Sequence, residues 1–162
     1  VAKQKRVPAG VPRWTGRKAP LAGTAVAERR PRGLPGSDRH DETICWRFAV
    51  VDRGGEWGFD RLDGAGLADL MDKLKSFESM TMRELFAPGS EHGKDYPMPQ
   101  VQAANRAAYR RLEDLDLQYH DLLSRLRLGG EKRLYGFRLN NVFSVLWWDP
   151  KHDVYPSRKR HT

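Results

Sequence analysis

The sequence predicts an α+β domain over residues 41–162, made of an N-terminal strand, two main helices and an antiparallel β-meander of three or four strands, preceded by a disordered basic tail over residues 1–40. Three observations predict it. Up to Asp41 the chain holds five Pro and five Gly and shows no hydrophobic periodicity, so it cannot bury enough apolar surface to offset the entropy lost on ordering. In the middle of the chain, apolar residues recur at helical spacing, as in Leu67, Leu70, Met71, Leu74 and Phe77. From Leu122 onward the pattern changes to a period of two, punctuated by Gly129-Gly130 and Asn140-Asn141, the composition of tight hairpin turns.

In chain order, Ile44, Trp46, Phe48 and Val50 alternate with Cys45, Arg47 and Ala49 and form the first strand. The sole cysteine, Cys45, is expected to act as a small core hydrophobe; one cysteine allows neither an intrachain disulfide nor a cysteine metal cluster. Asp52-Arg53-Gly54-Gly55 supplies turn chemistry, and Trp57-Gly58-Phe59 is an apolar patch that can fold back on the strand. A helix from about Gly66 to Glu78 follows, and Thr81-Met82-Arg83-Glu84 has capping-box spacing for a short helical turn ending near Phe86.

Residues 87–99, rich in Gly, Pro and charge, read as an exposed loop carrying His92 and Tyr96. Val101, Ala104, Ala108, Leu112 and Leu115 set the second main helix, from Gln100 to Leu115. The meander then runs through Leu122–Leu128, Arg133–Leu139 and Val142–Trp148, with at least one of Trp147 and Trp148 in the core and a short edge strand near His152–Tyr155 after the Asp149-Pro150 break.

Charge is unevenly placed. Residues 1–40 carry ten basic and two acidic side chains; residues 41–121 carry ten basic and sixteen acidic; residues 122–162 carry nine basic and three acidic. A basic arm fits contact with polyanions or simple solvation, so the basic bias of the folded C-terminal third is the more informative feature. No apolar run is long enough to span a bilayer and the N-terminus lacks a secretory h-region. The protein is therefore expected to be soluble and cytoplasmic, with no membrane partner. His152 and His161 with Asp149 or Asp153 match no established metal spacing, and there is no Gly-rich phosphate loop; neither metal nor cofactor is expected.

The order strand, helix, helix, meander, together with Leu-Tyr-Gly-Phe-Arg-Leu-Asn-Asn-Val-Phe-Ser-Val-Leu-Trp at 134–147, resembles the RelE/ParE superfamily of bacterial toxin–antitoxin systems. The resemblance implies a sheet whose first strand closes it beside the meander, with a helical pair on one face and a concave opposite face. That face takes mRNA at the ribosome or, in the ParE branch, forms part of a toxin acting on gyrase. Carried over by position, Arg138 matches the basic residue that neutralises the scissile phosphate, and His161 matches the C-terminal acid/base residue. The second family Arg falls near Ser144 here, and Asn140 or Asn141 stands in place of the turn Gly.

Cleavage of RNA through its 2′-OH needs a base, a cation beside the phosphate and an acid for the leaving oxygen, without a metal. Arg125, Arg127 and Arg138 are expected on one sheet face, His161 has a pKa range suited to proton transfer, and Lys132, Arg133, Arg158, Lys159 and Arg160 are expected to hold the RNA backbone. The expected function is a metal-independent mRNA endoribonuclease toxin that inhibits translation and is held by a cognate antitoxin. The alternative is a non-catalytic toxin that binds a replication component, gyrase or the sliding clamp, the latter hinted at by Gln118-x-x-x-Leu122-Leu123.

Overall fold

The computed structural model describes residues 41–156. The expectations for the tail at 1–40 and for Arg158, Lys159, Arg160 and His161 lie outside the described residues. Five strands form one mixed sheet in the order β1-β5-β4-β3-β2. These are β1 (Cys45–Arg47), β2 (Gly93–Pro97), β3 (Leu122–Gly129), β4 (Lys132–Leu139) and β5 (Val142–Asp149). The meander stands as expected: β3, β4 and β5 pair antiparallel in sequence order. Gly129 and Gly130 both take positive φ in the first hairpin, and Asn140 does so in the second, with φ 54°. β1 is shorter than its alternation suggests and runs parallel to β5. Its Cys45 is exposed, contrary to the core role expected of it, because Trp46, not Cys45, points at Phe143 and Phe77.

Four helices follow the same logic. Helix α1 (Gly64–Phe77) is capped by Asp63, whose side chain accepts from the Gly66 amide. Helix α2 (Met82–Phe86) carries the full capping box between Thr81 and Glu84. The single helix expected from Gln100 to Leu115 is instead two, α3 (Met98–Ala104) and α4 (Arg106–Asp114). The break is at Asn105, in extended conformation, whose side-chain oxygen accepts from the amides of Ala107 and Ala108. An Asn at that point caps a new helix better than it continues the old one. The loop expected at 87–99 contains β2, which pairs antiparallel with β3 from Gly93↔Leu126 to Pro97↔Leu122. The edge strand expected near His152–Tyr155 is absent; that segment is irregular, with His152 at φ 60°.

Both faces of the sheet are covered. Leu126, Leu134, Phe143 and Val145 pack with Leu70, Leu74 and Phe77 of α1 and Met82 and Leu85 of α2. On the opposite face, Leu123, Tyr135, Phe137 and Trp147 pack with Met98 and Val101 of α3 and with Ala108 and Leu112 of α4. This differs from the one open concave face that the resemblance implies. Leu134 and Phe143 are wholly buried, and each such side chain contributes roughly 1.5–3 kcal/mol by leaving water. A polar strut ties the layers together. Asp52, which is buried, accepts from Arg111 Nε at 2.8 Å and Nη2 at 2.7 Å, from Trp147 Nε1 at 2.9 Å and from the Gly54 amide at 3.1 Å. Among the described residues no helix is long and apolar enough to cross a membrane.

Candidate nucleic-acid interface

Residues alternate faces along a strand, so the register decides which charges meet. Lys94 of β2 lies directly opposite Arg125 of β3, Arg127 of β3 opposite Arg133 of β4, and Arg125 also opposite Tyr135. These side chains share the α3/α4 face of the sheet with Tyr96 and Tyr135, at the end near the β3–β4 hairpin, where Lys94 and Arg127 are exposed. Two like-charge pairs thus stand directly across from one another, an arrangement that destabilises a sheet. Arg127 has only a loose contact with exposed Glu91, at 3.9 Å. Lys94 lies over the Tyr96 ring at 5.4 Å. Arg125 and Arg133 make no ion pair among the described residues.

Arg133 is 7% exposed and donates only to main-chain carbonyls, from Nη1 to Gly130 O at 2.7 Å and to Lys132 O at 2.9 Å. Burial, reinforced by Arg125 and Arg127, pushes its guanidinium below the usual arginine value. Beside it, burial and then Asp149 push the Tyr135 phenol far above its ordinary value, against the pull of Arg125 and Arg133. Four polar atoms of this neighbourhood are buried without a hydrogen-bond partner: Arg125 Nε, Arg133 Nε, Tyr135 Oη and His152 Nε2. Buried polar atoms are ordinarily satisfied, and among the described residues these four have no partner.

The segment after β5 is pinned in place. Asp149, across from Arg133 in the register, commits its carboxylate to the amides of Lys151 and Val154 at 3.1 and 2.9 Å. Val154 is buried, Tyr155 stacks on Tyr96 with centroids 3.9 Å apart, and Asn105 Nδ2 donates to Asp153 O at 2.9 Å. These anchors hold His152 in the left-handed backbone region, a conformation that costs a non-glycine residue about 1–3 kcal/mol. Burial, followed by Arg133 and with a further push from Arg125, holds its imidazole below the ordinary histidine value, against an opposing pull from Asp149.

Of the residues singled out from sequence, Arg125, Arg127 and Arg133 are brought together. Arg138 is not. It lies on the opposite face, where Nε and Nη2 donate to Asp95 at 2.9 and 2.6 Å, Ser124 Oγ donates to the same carboxylate, and the guanidinium lies 4.8 Å from the Phe86 ring centroid. The shared face expected for Arg125, Arg127 and Arg138 is thus corrected: Arg125 opposes Tyr135, and Arg138 is three residues further along β4, an odd step that reverses the side. Lys132 is likewise directed away, to Asp69 of α1 at 2.7 Å. Gln118-x-x-x-Leu122-Leu123 is not a free peptide motif, because Leu123 is buried at the start of β3. Comparison of the chain with protein-family models, curated proteins and solved structures gives no match.

Lys94, Tyr96, Tyr135 and His152 were not assigned to an interface by the sequence. The alternation Lys94-x-Tyr96 is the one signal that could have placed two of them, and it is hidden in a run of loop-like composition. Among the described residues no three or more His, Cys, Asp or Glu are grouped to hold a metal ion. Chemically, the face combines cationic N–H donors of Lys94, Arg125, Arg127 and Arg133 with the Tyr135 phenol and the His152 imidazole.

Proposed function

We propose that this domain is an RNA-directed toxin of the RelE type, which holds message through the Lys94, Arg125, Arg127 and Arg133 face and cleaves it without a metal, a cognate antitoxin covering the same face until it is removed. The observation that carries the reading is the pair of like-charge cross-strand contacts, Lys94 with Arg125 and Arg127 with Arg133, in which Arg127 has only the 3.9 Å contact with Glu91. Such contacts weaken the fold, and a polyanion relieves them while releasing its own counterions. In this reading Arg125 and Arg133 take the phosphate-neutralising role that the resemblance gives to Arg138, whose charge Asp95 already compensates. His161 is the acid/base residue in this reading.

The test is induction of the wild-type chain beside Arg125→Ala, Arg127→Ala, His161→Ala and Arg138→Ala, with growth, total translation and primer extension on an abundant message. Wild type is expected to arrest growth and cut message; the first three variants are expected to lose cleavage. Arg138→Ala is expected to yield less folded protein but to cut normally per folded molecule. Arrest with intact message would replace the nuclease with a toxin that acts by binding. No arrest, together with no salt-dependent RNA binding in vitro, would refute the RNA-directed reading.

A further inference from the structure

We propose that the cleft between α1 and the β3–β4 hairpin is a nucleobase site, which takes a guanine from the RNA held on the other side of the same hairpin. The proposal rests on the RNA-binding reading above but is carried by a different part of the fold. The cleft has a volume of about 600 Å³, within the range of small-ligand sites. Leu70, Leu128, Trp148 and Pro150 line its apolar part; Leu70 is buried and the other three are half-buried. Gly129 and Gly130 line the hairpin side, and a Cβ added at either would meet nothing within 4 Å. Lys132 reaches from the hairpin to Asp69 of α1 at 2.7 Å, and Lys73 lies 5.6 Å from the Phe77 ring centroid. Asp72 of α1 and Glu131 of the hairpin also line the cleft. Both are exposed, and neither has an ion pair among the described residues.

The hairpin joins the cleft to the cationic face. Arg127 and Leu128 are neighbours on β3, and Lys132 and Arg133 are neighbours on β4. Arg127 and Arg133 meet on the α3/α4 face, whereas Leu128 packs against the cluster of Leu70 and Leu74, and Lys132 reaches Asp69. One strand of RNA can thus lay its phosphates on the arginines and turn a base around the hairpin into the cleft. The lining selects the ligand class. Lys73 and Lys132 oppose a cation, and Asp72 and Glu131 oppose a phosphate, which leaves a neutral base. Unpaired RNA bases are read by stacking on aromatic rings and by hydrogen bonds to their Watson–Crick edges, and half-buried Trp148 supplies the ring. Carboxylates only accept hydrogen bonds. Guanine is the RNA base whose Watson–Crick edge presents two adjacent N–H donors, matching the two oxygens of one carboxylate. Uracil flanks its ring N–H with carbonyls, and adenine and cytosine each set an unprotonated ring nitrogen beside the amino group.

The test uses the full chain and four short oligoribonucleotides, uridine throughout except for one internal position that is U, C, A or G, at fixed ionic strength, with fluorescence anisotropy as readout. The strand with G is expected to bind about tenfold tighter than the other three, in line with the strength of charge-assisted hydrogen bonds. A double variant, Asp72→Asn with Glu131→Gln, changes two exposed side chains and is expected to abolish that preference. Arg127→Ala, on the opposite face, is expected to weaken all four strands and keep their ratio. Equal binding of the four by wild type, a preference for another base, or a preference for G that survives in the double variant overturns the guanine site and leaves the RNA-binding reading standing. If no RNA binds, the RNA reading falls, and titration with guanosine and with uridine, followed by tryptophan fluorescence, decides the cleft alone. Saturable binding of guanosine, not matched by uridine and lost in the double variant, upholds the site. Absence of saturation overturns it.

Discussion

Tyr135→Phe removes one oxygen atom from the interior and nothing else, which makes it the sharpest probe of the cationic face. The phenol is wholly buried, its Oη has no hydrogen-bond partner, and its ring packs in the core beside Phe137 and Trp147. A buried donor left unsatisfied costs about 1–3 kcal/mol, whereas a satisfied one contributes about 1 kcal/mol. The variant is therefore expected to be more stable than wild type by about 1 kcal/mol or more. With a urea m-value of roughly 1–3 kcal/mol/M, a gain of about 1 kcal/mol moves the midpoint up by about 0.3–1 M. Melts are run in a buffer free of phosphate and sulfate. A loss of about 1 kcal/mol in the variant would refute the reasoning, because it would mean that Oη has a partner and that the donors are not vacant.

Three further outcomes follow from the geometry. Asp52→Ala is expected to cost about 3 kcal/mol, since it strands Arg111 and Trp147 Nε1, as chemical denaturation will show. Burial alone would raise the Asp52 carboxyl, but hydrogen bonds from Arg111, Trp147 and Gly54 outweigh it and hold the group below its ordinary 3.8; a depressed folded pKa gives stability that is present above that value and lost as pH falls through the folded one. Wild type is thus expected to lose this contribution only below about pH 4, and thermal melts of the variant should lack that part of the acid slope. Gly136→Ala is expected to destabilise by about 2 kcal/mol or more in urea titrations, because a Cβ there would run into the Ser144 carbonyl and the Phe143 ring at the β4–β5 bulge. Arg133→Met and Arg138→Met, compared by thermal melting, are expected to move stability in opposite directions: Arg138 leaves the half-buried Asp95 carboxylate without its guanidinium, whereas Arg133 leaves no charged partner behind.

The meander was legible because each of its signals is local. Leu126 and Leu128 alternate with Arg125 and Arg127, Gly129-Gly130 tolerates positive φ, and Val142–Trp148 is almost continuously apolar. Helix α2 was legible for the same reason, through Thr81 and Glu84. Strand β2 was not. Gly93-Lys94-Asp95-Tyr96-Pro97 has the composition of a loop, and it is held by β3 and by its place at the sheet edge, where Pro97 can end it. The face of Arg138 was illegible for another reason. Alternation within β3 and within β4 is visible in sequence, but the phase between them is set by the hairpin and by the register shift between Arg127 and Gly129. An unseen one-residue shift reverses every side chain of one strand relative to the next. That is enough to separate Arg138 from Arg125 while leaving every element in its expected place.

Arg133 and Arg138 lie on one strand, five positions apart, and amount to an internal comparison. On the α1/α2 face, Arg138 meets a carboxylate, a hydroxyl on that carboxylate and an aromatic ring, which is how a fold ordinarily accommodates a guanidinium it removes from water. On the α3/α4 face, Arg133 is more deeply buried and meets two main-chain carbonyls, with Arg127 directly opposite on β3, Asp149, whose carboxylate is taken by two amides, opposite on β5, and Arg125 close enough to depress its basicity. The same chain therefore solves the problem of a buried arginine on one side and leaves it unsolved on the other. An apolar residue at 133 would pack against the same neighbours without desolvating a charge. In the reading proposed above, an anion on this face supplies to Arg125 the counter-charge that the fold itself gives to Arg138.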